Sequence, residues 1–291
     1  MRLNDFNPAN IRVRDQRGEG GGGGFPGGKG SLGCGGLLIV LAIAYFTGAD
    51  PAQLLSGLDQ AQVSAPQEQA VGGRTAAESC AVNEYSHEAC AHLDSLNRTW
   101  EPKFKAAGIA FEQPILEFYS REGQSGCGAA QSAMGPFYCP SDEGIYIDTA
   151  FYDEMAQQMG AKGDFARAYV IAHEYGHHVQ NLTGISRQVR QMQQQNPSRE
   201  NALSVRLELQ ADCYAGVWAA LNKDRIEAGD LEEGLTAAHA VGDDTLMEQA
   251  GRRPVEAAFT HGSSAQRMKW LRIGMETGDE DKCDTFADLK P

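Results

Sequence analysis

Two histidines four residues apart, with a glutamate directly after the first, occur in His173-Glu174-Tyr175-Gly176-His177-His178. The segment up to Leu182 has no proline and carries apolar residues at Phe165, Tyr169, Ile171, Ala172, Val179 and Leu182, a spacing that predicts a helix. Four helical residues turn through about 400° and rise about 6 Å, so His173 and His177 leave one face, a turn apart. Imidazoles so placed can close on one ion at roughly 2.0–2.1 Å each, the distance Zn²⁺ accepts. Glu174 lies about 100° further round, within reach of a water on that ion but poorly placed as a ligand. It is the candidate general base of a zinc hydrolase. The bland alternative is a stacked histidine pair satisfied on a surface or in a core. If the metal reading holds, the fold must bring a third protein ligand to this face and leave a fourth position for water.

A second run, Glu208-Leu209-Gln210-Ala211-Asp212, falls in a helical pattern from about Glu200 to Leu221. Glu208 is the candidate third ligand. Asp212, one turn later on the same face, is placed to accept the free ring N–H of a ligand histidine, which fixes its tautomer and raises its basicity. Other assignments stay open. Asp212 can itself bind the ion with Glu208 nearby, and Glu200 competes, although an acid near a helix start often serves only the dipole. A metzincin pattern needs Gly and His three and six residues after His177, where Gln180 and Thr183 stand. His178 lies about 100° from His177 and should point away from the metal.

Together with Phe259-Thr260-His261-Gly262-Ser263-Ser264, Gly135-Pro136-Phe137-Tyr138-Cys139-Pro140 and Ile145-Tyr146-Ile147-Asp148, these runs resemble the bacterial neutral zinc metallopeptidase family, the membrane-anchored YpfJ-like proteins. The N-terminal layout of a polar head, a glycine tract and one apolar span is similar as well. The resemblance covers nearly the whole chain. It implies a zincin-like fold with a glutamate as third ligand, and says little about substrate.

The formal net charge is −14. Residues 1–49 carry five basic and three acidic side chains, or +2, so the remainder carries −16. That balance argues against a nucleic-acid partner. Residues 31–49 hold no charge and centre on Leu37–Phe46, just long enough to cross a bilayer as a helix. Arginines before it and Asp50 after it predict a cytoplasmic head and an extracytoplasmic body, making a single-pass protein of the cell membrane. A cleaved signal peptide would need an unusually long basic region containing Gly20–Gly24.

Beyond Cys34 there are six cysteines. An even number fits an oxidising compartment. Proximity in the chain suggests Cys80–Cys90 and Cys127–Cys139, which leaves Cys213 for Cys283. Cys213, about 140° round from Glu208, should face away from the metal.

The organisation expected is a disordered glycine-rich cytoplasmic head (1–30), a transmembrane anchor (31–49), a linker (50–77) and a catalytic domain (78–291). Within the last, a helical stretch over Val82–Ala107 breaks at Pro102, and short strands fall at Leu116–Tyr119, Phe137–Tyr138 and Ile145–Ile147. Helices then follow at Thr149–Met159, Asp164–Leu182, Ile185–Gln194, Glu200–Leu221, Leu231–Gln249 and Ser263–Met275. A small sheet followed by a helical majority is an α+β fold.

The reaction expected is hydrolysis of a peptide bond in a protein or peptide substrate, with Zn²⁺ as cofactor. Glu174 moves the proton, and a donor beyond the metal meets the oxyanion. His261 is the first candidate donor and a structural histidine the competing reading. Tyr146 and Tyr175 are weaker candidates, and Gly144–Asp148 is the candidate edge strand for substrate. A zinc amidase of cell-wall peptides, or a non-catalytic zinc-stabilised binding module, are the alternatives. Glu174 speaks against the latter, since a structural site needs no base.

Overall fold

The structure, a computed structural model, describes residues 1–2, 6–18 and 74–289. In chain order these form β1 (Arg12–Asp15), α1 (Ala76–Cys80), α2 (Glu84–Ala107), β2 (Ile115–Phe118), β3 (Glu122–Ser125), β4 (Gly128–Gln131), β5 (Phe137–Cys139) and β6 (Gly144–Ile147). The helices α3 (Ala150–Gln158), α4 (Asp164–Leu182), α5 (Ile185–Gln195), α6 (Glu200–Leu221), α7 (Asp230–Ala240), α8 (Asp243–Gln249) and α9 (Ser264–Thr277) follow. A small sheet and a helical majority make the expected α+β architecture. The predicted anchor at 31–49 lies outside the described residues. Among those described, no helix is long and apolar enough to cross a membrane.

The main sheet has the order β1-β2-β6-β5, with β1, β2 and β6 parallel and β5 antiparallel to β6. Every residue of β2 and β6 is buried, as strands covered on both faces must be. This corrects the expectation for Gly144–Asp148. Strand β6 is bonded on both sides and offers no edge; the edge strand beside it is β5, folded back on β6 so that Cys139 faces Gly144. A separate β3–β4 hairpin, with Ser125 opposite Gly128, has no apolar alternation that would have announced it.

The expectation of a disordered head over 1–30 fails for its first half. Met1–Arg17 and Gly72–Pro291 form one folded unit. Strand β1 runs in register along β2 from Arg12 opposite Ile115 to Asp15 opposite Phe118. Asp15 is buried and accepts from Arg17 Nε at 2.8 Å and Nη2 at 2.7 Å, with Arg74 at 3.1 Å. The Arg17 guanidinium lies 4.3 Å over the Phe118 ring and also donates to Ser79 and Ser86.

Helices α4 and α6 span the ranges read from the sequence. Two others differ. Helix α2 runs unbroken through Pro102 to Gly108, because Arg98 and Pro102 both lie on its exposed face, where the carbonyl left without an N–H partner meets water. The pattern over 231–249 divides into α7 and α8 at Val241-Gly242. Packing of α6 on α9 depends on paired glycines: a Cβ on Gly216 would stand 2.2 Å from the Leu271 carbonyl oxygen, and one on Gly274 2.1 Å from that of Cys213. The three disulfides are Cys80–Cys90, Cys127–Cys139 and Cys213–Cys283. The last ties the C-terminal segment to α6 on the side away from Glu208.

Candidate metal centre

Helix α4 brings His173 and His177 to one face with ring centroids 4.9 Å apart. Helix α6 crosses them at Gly176, where a Cβ would meet the Ala211 Cα at 2.8 Å. That close approach delivers Glu208. Its Oε2 lies 3.1 Å from His173 Nε2 and its Oε1 3.4 Å from His177 Nε2. Two donors at 2.0–2.1 Å on a tetrahedral ion stand about 3.3 Å apart, so the trio fits Zn²⁺. The outer nitrogens are committed elsewhere. His173 Nδ1 faces Asp212 Oδ1 at 2.8 Å, and His177 Nδ1 faces Gln180 Oε1 at 2.9 Å. Gln180 is itself fixed by donating to the Leu207 carbonyl at 2.7 Å. Each ring therefore donates outward from Nδ1, which leaves Nε2 as the atom that would face a metal ion.

Asp212 is fully buried behind His173. It accepts from Tyr169 Oη at 2.6 Å and from Arg267 Nε and Nη2 at 2.9 and 3.0 Å. Burial works against its charge, but Arg267 and His173 outweigh burial and hold its carboxyl below the usual range. Burial likewise opposes a charged His173, yet Asp212 and Glu208 prevail and raise it to about 10. His177 is raised by Glu208 against the same opposition, and Glu208 is held well below its ordinary value by His177 and His173. The field at the histidine pair thus favours positive charge, which a divalent ion supplies. Among the described residues one further acidic group, Asp164, Asp230 and Glu233, has metal-like spacing, but the Met1 ammonium lies on it, 2.7 Å from Asp164 and 3.0 Å from Asp230.

The trio opens into a cleft of about 470 Å³ that also exposes Glu174, His261 and one side of Arg267. Phe137, Tyr138 and Pro136 of the β5 segment, with Phe151, Val170 and Leu246, give it apolar walls. His178 points away from the metal face, as expected: its Nε2 donates to the Glu112 carbonyl at 2.8 Å, and Nδ1 accepts from Tyr138 Oη at 3.0 Å. Burial pushes this ring down to about 4, so it stays neutral and pins the edge strand to α4. A larger hollow of about 890 Å³, around Val205, Phe259 and Trp270, contains none of the metal trio.

His261 precedes α9 and faces the cleft with its side chain about half exposed. Its Nδ1 lies 3.0 Å from Thr260 Oγ1 and 3.4 Å from Asp243 Oδ1. The Asp243 hydrogen bond is the largest influence on the ring and, with Glu208, raises its pKa against burial and Arg267. The two weaker donor candidates fall outside the cleft. Tyr175 is buried against Asn97 Oδ1 at 2.9 Å, and Tyr146 donates to Asp142 at 2.6 Å. Glu200 lines the larger hollow, away from the trio. Residues around the site that the sequence did not single out are Tyr169, Gln180, Asp243 and Arg267. Tyr169, four residues before His173, and Gln180, three after His177, carried a positional signal.

A helix-borne His-Glu-x-x-His thus meets a carboxylate from a second helix. The chain belongs to the family described as "Putative neutral zinc metallopeptidase", whose profile matches residues 4–286. It is similar to "Uncharacterized protein YpfJ" of Escherichia coli K12, 46% identical over 272 residues, covering 92% of this chain and 91% of that protein. It is also similar to "Uncharacterized protein Rv2575" of Mycobacterium tuberculosis H37Rv, 41% identical over 207 residues, covering 67% and 68%. No solved structure matches the chain.

Proposed function

We propose that the protein is a zinc-dependent peptidase with a zincin-like catalytic unit, in which His173, His177 and Glu208 hold the ion and Glu174 is the general base. The observation that carries this reading is the approach of the two Glu208 carboxylate oxygens to His173 Nε2 and His177 Nε2, at 3.1 and 3.4 Å, in a cleft that also contains Glu174. Zinc in such a site supplies Lewis acidity and makes water a nucleophile near neutral pH. The remaining work falls to the chain. The Glu174 carboxylate takes the proton of the attacking water and returns it to the leaving amine. The His261 ring, held toward its protonated form, donates to the oxygen that gains charge at the scissile carbonyl. The edge of β5 that faces away from β6 suits an extended peptide, which pairs there by backbone hydrogen bonds.

The substrate class in this reading is protein or peptide outside the cytoplasm. Three disulfides support an oxidising compartment. Met1–Arg17, being part of the same folded unit, goes to that side with the rest. Residues 31–49 are its proposed contact with the membrane.

The test is metal analysis of the purified full chain, followed by assays on casein and on cell-wall peptides, with Glu174→Gln as control. One equivalent of zinc in both proteins is expected. The substitution should cost activity by roughly 10²–10⁴-fold, the range of general acid–base contributions. Cleavage of cell-wall peptides but not casein would make the protein an amidase of the same chemistry. Unchanged activity in Glu174→Gln would remove the base assignment.

A further inference from the structure

The carboxylate of Asp243, the first residue of α8, is turned away from its own helix. Its Oδ2 accepts three consecutive backbone N–H groups, those of Thr260 and His261 at 2.7 Å and Gly262 at 3.0 Å. Its own backbone N–H donates to the Gly262 carbonyl at 2.9 Å, so the two segments are tied in both directions. Three successive N–H groups curled round one oxygen form an anion-holding nest, and Gly262, at φ +94°, supplies the left-handed residue such a curl needs. The second oxygen of the same carboxylate is the one 3.4 Å from His261 Nδ1. Asp244 repeats the device one residue on, accepting from the N–H of Ser264 at 2.7 Å and from its hydroxyl at 2.9 Å. Asp244 holds the start of α9 and the N–H of Thr245 in its own helix, whereas Asp243 touches the histidine.

We propose that Asp243 is the positioning residue for His261: it fixes the 260–262 backbone with one oxygen and the Nδ1 side of the ring with the other, leaving Nε2 to face the substrate. The inference rests on the role given to His261 above. One residue thus couples the loop that carries the donor to the break between α7 and α8. The charged groups that bear on the ring are Asp243 from α8, Glu208 from α6 and Arg267 from α9; the two acids favour its protonated form and Arg267 opposes it.

The experiment uses the full chain loaded with one equivalent of zinc, in five forms: the parent, Asp243→Asn, His261→Gln, the double variant and Asp244→Asn. Asp243→Asn keeps an oxygen for the backbone nest and removes the charge. It is expected to lower kcat/KM on a casein-derived fluorogenic peptide by about tenfold, within the coupling range of side chains in contact. It should also move the alkaline limb of the pH profile to lower pH, because the ring then loses its proton earlier. In the His261→Gln background the same change should have no further effect. Asp244→Asn should lower thermal stability and leave the pH profile in place. The ring titration is followed separately by ¹³C-histidine NMR, with the His261→Gln spectrum assigning the resonance among the seven histidines.

An equal loss from Asp243→Asn with and without His261 overturns the proposal, as does an unmoved His261 titration. If His261→Gln alone is fully active, the donor role fails instead. The NMR titration still shows in that case whether Asp243 holds the ring.

Discussion

Gly176→Ala tests whether helix spacing sets the metal geometry. The added Cβ would lie 2.8 Å from Ala211 Cα, 2.9 Å from its carbonyl oxygen and 3.0 Å from its Cβ. Two of these three atoms are backbone, so no side-chain rotation relieves the contact. Ordinary Cβ contacts fall at 3.4–4 Å, so α4 and α6 must part by roughly 0.6 Å or more. Glu208 rides on α6, three residues before Ala211, and its oxygens would move away from both Nε2 atoms by a similar amount. Metal–ligand distances tolerate only about ±0.2 Å. Overpacking of this kind costs about 1–3 kcal/mol, offset by up to about 1 kcal/mol from replacing a helical glycine with alanine. The metal-free variant should therefore unfold within about 2 kcal/mol of the parent, while zinc affinity falls by at least an order of magnitude. Chemical denaturation in EDTA reads the first quantity, and chelator competition on the refolded protein reads the second. A Gly176→Ala protein that binds zinc as tightly as the parent would show that Glu208 is delivered by something other than this crossing.

Two further outcomes test the N-terminal strand. Asp15 has a lowered pKa because Arg17 and Arg74 outweigh its burial, so its contribution is present above the unfolded value of 3.8 and lost as pH falls through the lower folded value. Asp15→Asn should cost about 3 kcal/mol at pH 7, as breaking a buried pair does, and the gap in denaturant midpoints should narrow as pH falls through and below 3.8; a constant gap refutes the pairing. Epitope tags at the N-terminus and after Pro291 should both be protease-accessible from the same side of sealed vesicles, and protection of only one would exclude β1 from the sheet in the membrane-attached protein.

The metal trio was legible because helical periodicity fixes side-chain direction once the helix is known. His173, His177 and His178 differ only by 100° steps, and the structure orients each as those angles require. Glu208 and Asp212 were legible for the same reason, being one turn apart on a second regular helix. What lay beyond reach came from tertiary contact. Arg267 reaches Asp212 only because α9 packs on α6 through Gly216 and Gly274, and Asp243 reaches His261 only because the chain breaks at Gly242. Neither residue stands at a helical or strand interval from its partner. The edge strand was misassigned on composition. Ile145-Tyr146-Ile147 has the stronger β pattern because it is central and buried on both faces, whereas the edge, Phe137-Tyr138-Cys139, is short and only partly buried.

The head was misread for a related reason. Arg12-Val13-Arg14-Asp15 lacks the apolar residues of a strand that must bury a face, and a glycine tract follows it. Its stability in the sheet comes from pairing instead. Backbone bonds to β2, the Arg17–Asp15 pair at 2.7 Å and the guanidinium stacked on Phe118 replace the missing apolar burial. In the sequence alone, charge in that segment reads as a cytoplasmic flank, the basis of the positive-inside argument. Those arginines are held within the folded unit, Arg12 by the Gln113 carbonyl, Arg14 by Glu117, and Arg17 by Asp15 and the Phe118 ring. The disulfides remain as the feature that bears on compartment, and they apply to β1 as much as to the helices that hold the metal site.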